Sequence, residues 1–185
     1  DRINERCNEL NIYYIFCGLL HSPLESHPNG QGSVVPGVSW ESYCYNGADD
    51  TPATVASEPV LNTSKPVDFY SSIIANDHQK NYFRYLVSRW GYSTSLAGWQ
   101  LMSEADQTCA YRNETLEDGT VVDNSENREK VSAWTGNMVD FMQNECDDQH
   151  LKSISLITGQ NYSNNLWDYS LIKHENVSYF GLHDY

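Results

Sequence analysis

Apolar and polar positions divide the 185-residue chain into short apolar runs and longer amphipathic stretches. Ile3, Cys7 and Leu10 fall at helical spacing, so residues 1–10 read as the last turns of a helix. Ile12-Tyr13-Tyr14-Ile15-Phe16-Cys17 and then Leu19-Leu20 are nearly continuous apolar sequence. A strand without alternation is expected to be buried on both faces, the habit of parallel sheets. A helix is expected from about residue 66 to Trp90, with Phe83, Leu86, Val87 and Trp90 as its buried stripe and Gly91 as its stop. Leu96 to Met102 is then a short strand that closes on Ser103-Glu104. The polar stretch 105–122 carries a Glu117-Asp118-Gly119 turn. Asn124 or Ser125 suits the cap of the next helix, which runs to about Glu145 with Val131, Trp134, Met138, Phe141 and Met142 on one face. Residues 153–158 and 177–182 read as further strands, with a short helix over 167–172 between them. Strands that alternate with helices imply βαβ units and a parallel sheet. The expected fold class is α/β, in one domain over residues 1–185.

The longest break in the pattern is residues 21–65, with Pro23, Pro28 and Pro36 and several glycines. Loops of this length are functional or disordered. Trp40, Tyr43 and Tyr45 argue for an ordered loop over the C-terminal face of the sheet. Those aromatics either stack on a sugar or base, or pack the loop onto the body.

Charge narrows the partners. Lys plus Arg is 11 against 25 Asp plus Glu, a net charge of −14. Nucleic-acid backbones and anionic membranes both call for a basic surface, so neither is expected as a partner. No apolar run is long enough to span a bilayer. Four Asn-x-Ser/Thr sequons, at Asn62, Asn113, Asn161 and Asn176, lean towards a secreted glycoprotein. Disulfides are then permitted. Of the five cysteines, Cys44 and Cys109 both fall in long loops after strands and are the expected pair. The odd count leaves at least one thiol, or one whose partner lies on another chain.

Glu104 is the main candidate for chemistry. In an α/β barrel, catalytic groups sit where strands end; the plainer reading is an acid that ends a strand and faces water. His21, Glu25 and His27 fit no metal-ligand spacing. No Gly-x-Ser-x-Gly elbow and no phosphate-binding glycine loop occurs. No cofactor is expected. Trp99 and Trp134 read as packing residues, and Asp147-Asp148 as a solvated helix end.

Phe83-Arg84-Tyr85-Leu86-Val87-Ser88-Arg89-Trp90-Gly91-Tyr92-Ser93, followed by Trp99-Gln100-Leu101-Met102-Ser103-Glu104, resembles the third helix and fourth strand of clan A glycoside hydrolases, nearest to family 5 cellulases. The resemblance implies a (β/α)8 TIM barrel, of which this chain spans the second helix to the sixth strand. It implies that Glu104 is the general acid/base. His183-x-Tyr185 looks like the His-x-Tyr that ends the sixth strand and lines the substrate cleft. His21 matches in position a His after the third strand. Trp40 is a possible sugar platform. Ser103 departs from the family, which has Asn before the acid/base; that Asn bonds the sugar 2-hydroxyl, and Ser is shorter.

Retaining glycosidases need two carboxyl groups roughly 5–5.5 Å apart. In the family the nucleophile ends the seventh strand, which lies outside this chain. The expectation is therefore a fragment of a larger barrel, completed by further sequence or by another chain. Two readings follow. One is a secreted glycoside hydrolase acting on a β-linked polysaccharide by a retaining two-carboxylate mechanism. The other is a catalytically inactive extracellular carbohydrate-binding or structural protein with the same fold, which Ser103 and the dense sequons favour. A third, an intracellular α/β enzyme for a small molecule, requires empty sequons and reduced cysteines.

Overall fold

The computed structural model describes residues 2–24, 45, 66–111, 114–115, 118–157 and 174–183. Within them the chain is α/β. Helix α1 (Arg2–Leu10) precedes strand β1 (Tyr14–Leu20). Helices α2 (Asp68–Ser71) and α3 (Ile73–Trp90) lead to β2 (Leu96–Ser103). A two-stranded antiparallel ribbon, β3 (Glu114–Thr115) with β4 (Val121–Val122), turns at Gly119, whose φ of 82° suits glycine. Helix α4 (Ser125–Asp140) continues into a π-helical turn over Phe141–Glu145. Strands β5 (Leu151–Ile157) and β6 (Tyr179–His183) complete the sheet. Its order is β1-β2-β5-β6 and every pairing is parallel.

The expected single helix to Trp90 is two. Ser72 is extended (φ −68°, ψ 125°), and its hydroxyl accepts from the Ala75 amide, so a side-chain cap restarts the helix there. Gly91 ends α3 in a right-handed conformation rather than a left-handed one. A Cβ on it would stand 2.6 Å from the Val87 carbonyl oxygen, so close approach, not φ, demands glycine. Asn124 takes the N-cap position of α4 but makes no side-chain cap; Asp123 Oδ1 instead accepts from the Ser125 amide at 3.0 Å.

One face of the sheet is closed by the helices. Phe16 stacks on Trp90 and packs against Trp99, while Phe83 sits over Gly18. Trp134, Met138, Phe141 and Met142 of α4 and its π turn are buried with Leu101, Met102 and Ile154. Gln79, also buried, accepts from Trp134 Nε1 at 2.6 Å and donates to the Phe69 carbonyl at 2.8 Å, which ties α2, α3 and α4 together. Tyr45 joins this core edge-to-face with Phe69, at 4.9 Å between centroids. On the opposite face the middle of the sheet is polar: Gln100 Nε2 donates to Ser155 Oγ (3.1 Å), Gln100 pairs with Ser153, and Ser155 pairs with Gly181.

Two expectations are corrected. β1 is not buried on both faces: Ile15 and Leu20, which alternate to opposite sides of the strand, are both exposed, as suits an outer strand of the described sheet. Nor is Asp148 a solvated helix end. It is 4% exposed and accepts from Trp99 Nε1 (3.0 Å), with Lys152 Nζ at 3.0 Å and His150 Nδ1 at 2.7 Å. A buried carboxylate needs such partners. The expected short helix over 167–172 lies outside the described residues.

Candidate active site

The C-terminal ends of the parallel strands gather three titratable side chains, two imidazoles and the carboxyl group they flank. β2 ends at Ser103, and Glu104 then adopts the left-handed conformation (φ 51°, ψ 52°). For a residue with a Cβ this is strained backbone, of the kind that collects at functional sites. Its amide donates to Ser155 Oγ of β5 at 2.9 Å, and a 3-10 turn (Ala105–Gln107) follows. The turn returns the chain towards β5 and leaves the Glu104 side chain between β1 and β6.

There Glu104 Oε1 lies 2.6 Å from His183 Nδ1, and Oε2 lies 3.6 Å from His21 Nε2. Glu104 is 7% exposed. His21 is oriented by its other ring nitrogen, 3.0 Å from the Ser103 carbonyl. A carbonyl only accepts, so Nδ1 carries a proton and donates to it. Nε2 is then the nitrogen turned towards Glu104. The His183 contact has the length of a charge-assisted bond, with the proton on either partner. A carboxyl group held between two imidazoles, largely out of water, has the parts of a proton donor and acceptor.

Ser103 enters this arrangement through its carbonyl. Ser155 and Gln100 support it from below, Gln100 Nε2 reaching Ser155 Oγ and also Cys17 Sγ (3.7 Å). The sequence pattern did not single out Ser155 or Gln100.

It also passed over Asp106. This residue lies on the 3-10 turn, and its Oδ1 accepts from the Ile157 amide at 3.0 Å. Burial, the largest cause, together with the nearby negative charge of Glu104, raises its pKa to about 6 against the lowering effect of its hydrogen bonds. The signal available in the sequence was its spacing, two residues beyond the strand-end acid.

The structure brings Glu104, His21, His183 and Ser103 together. Trp40, Tyr185, Cys44, Asn62, Asn113 and Asn161 lie outside the described residues, as do Glu25 and His27. Cys109 follows the turn, its amide donating to the Leu24 carbonyl at 3.0 Å. Asn176 belongs to the body of the fold: its side-chain amide donates to Asp140 Oδ1, and Ser178 Oγ accepts from the Lys152 amide. Among the described residues no cluster of His, Cys, Asp and Glu has the arrangement of a metal site, and no helix is long and apolar enough to cross a membrane.

No known family model matches the sequence, and no curated protein matches it. Function therefore rests on the geometry above.

Proposed function

We propose that this chain is part of a (β/α)8 barrel glycoside hydrolase that acts on a β-linked polysaccharide by a retaining mechanism. Glu104 is its acid/base and the nucleophilic carboxylate lies outside this chain. The observation that carries the reading is the Glu104 carboxyl, shielded from water at the C-terminal end of a parallel sheet and contacted by His183 and His21. In such a mechanism the acid protonates the leaving oxygen and later takes a proton from the incoming water. His183 and His21, with Tyr185, line the glycone side, and Trp40 on the long loop offers a stacking platform. Exposed apolar residues on both outer strands, Ile15 on β1 and Leu182 on β6, support further strands beside each. The sequons support an extracellular setting.

The test is chemical rescue in the full-length protein. Glu104→Ala is expected to lose turnover of polysaccharide while keeping turnover of a substrate with a good leaving group once azide is added. The azide product should keep the β configuration. Absence of rescue, with polysaccharide turnover unchanged in the variant, removes Glu104 from the chemistry. Ser103, whose side chain is shorter than the Asn of the resemblance, favours one second reading: a barrel that binds glycan without hydrolysing it. Retained glycan binding by a parent protein with no turnover would support it.

A further inference from the structure

Direct backbone pairing between β2 and β5 stops before either strand ends. It joins Gly98–Gln100 to Leu151–Ser153, whereas β2 runs on to Ser103 and β5 to Ile157. Beyond that point side chains bridge the two strands. Gln100 Nε2 donates to Ser155 Oγ at 3.1 Å, and the Glu104 amide donates to the same oxygen at 2.9 Å. The Ile157 amide donates to Asp106 Oδ1 at 3.0 Å. Ser155 is fully buried, so both of its donors meet a fixed acceptor out of water. Gly181, which pairs with Ser155 from β6, carries no side chain there: a Cβ on it would stand 3.2 Å from the Ser155 Cβ.

This bridge ends on the backbone of Glu104. That residue is left-handed (φ 51°, ψ 52°), a conformation that a residue with a Cβ keeps when its surroundings fix it. Its carbonyl is held locally, accepting from the Gln107 amide at 2.9 Å. Its amide is held by a side chain 51 residues further along the chain, so the fold, not local sequence, supplies this support. The backbone dihedrals of Glu104 aim its Cα–Cβ bond. They therefore aim the carboxyl that lies 2.6 Å from His183 Nδ1 and 3.6 Å from His21 Nε2.

We propose that Ser155 is a positioning residue for Glu104: by accepting from the Glu104 amide it holds that residue left-handed and so keeps the carboxyl between His183 and His21. Its functional meaning rests on Glu104 being the acid/base, but the positioning itself is a property of the folded chain. Gln100 belongs to the same device, because its amide fixes the Ser155 oxygen from β2. Replacing Ser155 by alanine leaves the buried Glu104 N–H without this acceptor. The left-handed backbone then loses the bond that offsets its strain, and it relaxes towards an ordinary conformation that turns the carboxyl away from His183.

The experiment compares the full-length parent with Ser155→Ala and Ser155→Thr. Three quantities are read: hydrogen exchange at the Glu104 amide, the ¹⁵N shift of His183 Nδ1, and kcat and KM on a β-linked polysaccharide. In the parent the Glu104 amide is expected to be protected. In Ser155→Ala it should exchange at least about tenfold faster. The His183 signal should move towards that of an imidazole with no carboxylate partner, and kcat should fall by about 10²-fold with KM little changed. Ser155→Thr keeps the hydroxyl, with Gly181 leaving space for the added methyl, and should return all three towards the parent. A merely structural Ser155 would lower the unfolding temperature of the alanine variant but leave the His183 signal and kcat at parental values, which overturns the proposal. An unprotected Glu104 amide in the parent overturns it with no variant needed. The positioning and the hydrolase reading fail separately. A His183 signal that moves in Ser155→Ala, for a parent without turnover, supports the positioning and removes the hydrolase. Glu104-dependent turnover that Ser155→Ala leaves untouched does the reverse.

Discussion

Glu104 and Asp106 differ in what burial asks of them. Glu104 has imidazole partners 2.6 and 3.6 Å from its oxygens, whereas Asp106 has backbone amides and the Gln107 side chain, and is raised to about 6 mainly by desolvation. The sign of the stability effect follows. Below the ordinary carboxyl value Asp106 is protonated in both folded and unfolded chains and costs nothing. As pH rises through 4 to 6 the unfolded chain ionises first, and the folded state loses stability on the order of 2 kcal/mol. Asp106→Asn should therefore stabilise the protein relative to the parent at pH 7.5 but not at pH 3.5. Urea unfolding at the two pH values checks this; an equal effect at both would contradict the raised value. The strained backbone of Glu104 belongs to the same scale. A left-handed non-glycine residue costs on the order of 1 kcal/mol, and here it aims an acid that both His21 and His183 reach.

At the scale of elements, the apolar periodicity announced most of what is seen. β2 and the stripes of α3 and α4 were legible because their side chains repeat at the period of the element that buries them. The open face of β1 was not legible, since an apolar run does not say whether a neighbouring strand covers it. Asp106 and Ser155 were not legible either: their roles depend on how β2 and β5 lie side by side. The Asp148 cluster shows the same limit, for two adjacent acids after a helix read as solvated until Trp99 and Lys152 are placed beside them. Lys152 Nζ also donates to the Asp148 and His150 carbonyls, so this buried pair has its remaining protons satisfied. Removing one partner leaves the other charge uncompensated. Asp148→Ala should cost about 3–5 kcal/mol. Denaturant unfolding that shows less than about 1 kcal/mol would mean that the pair is open to water.

For the whole molecule the outer strands decide. β1 and β6 are the two ends of the described sheet, and Ile15, Phe180 and Leu182 on them are 49%, 39% and 44% exposed. An unpaired strand edge lined by apolar side chains invites association. Residues 1–185 produced alone should therefore self-associate, with an apparent mass that climbs with concentration in size-exclusion chromatography with light scattering. A monodisperse 21.1 kDa species at all concentrations would show that the edges are protected and would undercut the barrel reading. The overall charge of −14 works against association, so the comparison belongs at physiological salt, where that repulsion is screened.

The central claim is that Glu104 is the acid/base of a glycoside hydrolase. The most direct measurement is turnover of a β-linked polysaccharide by the full-length protein and by its Glu104→Gln variant, side by side, with folding of both confirmed by circular dichroism. A fall in kcat of about 10²–10⁴-fold in the variant is the expected result. Equal turnover by the two proteins would contradict the claim, and so would a folded parent that hydrolyses no β-linked polysaccharide.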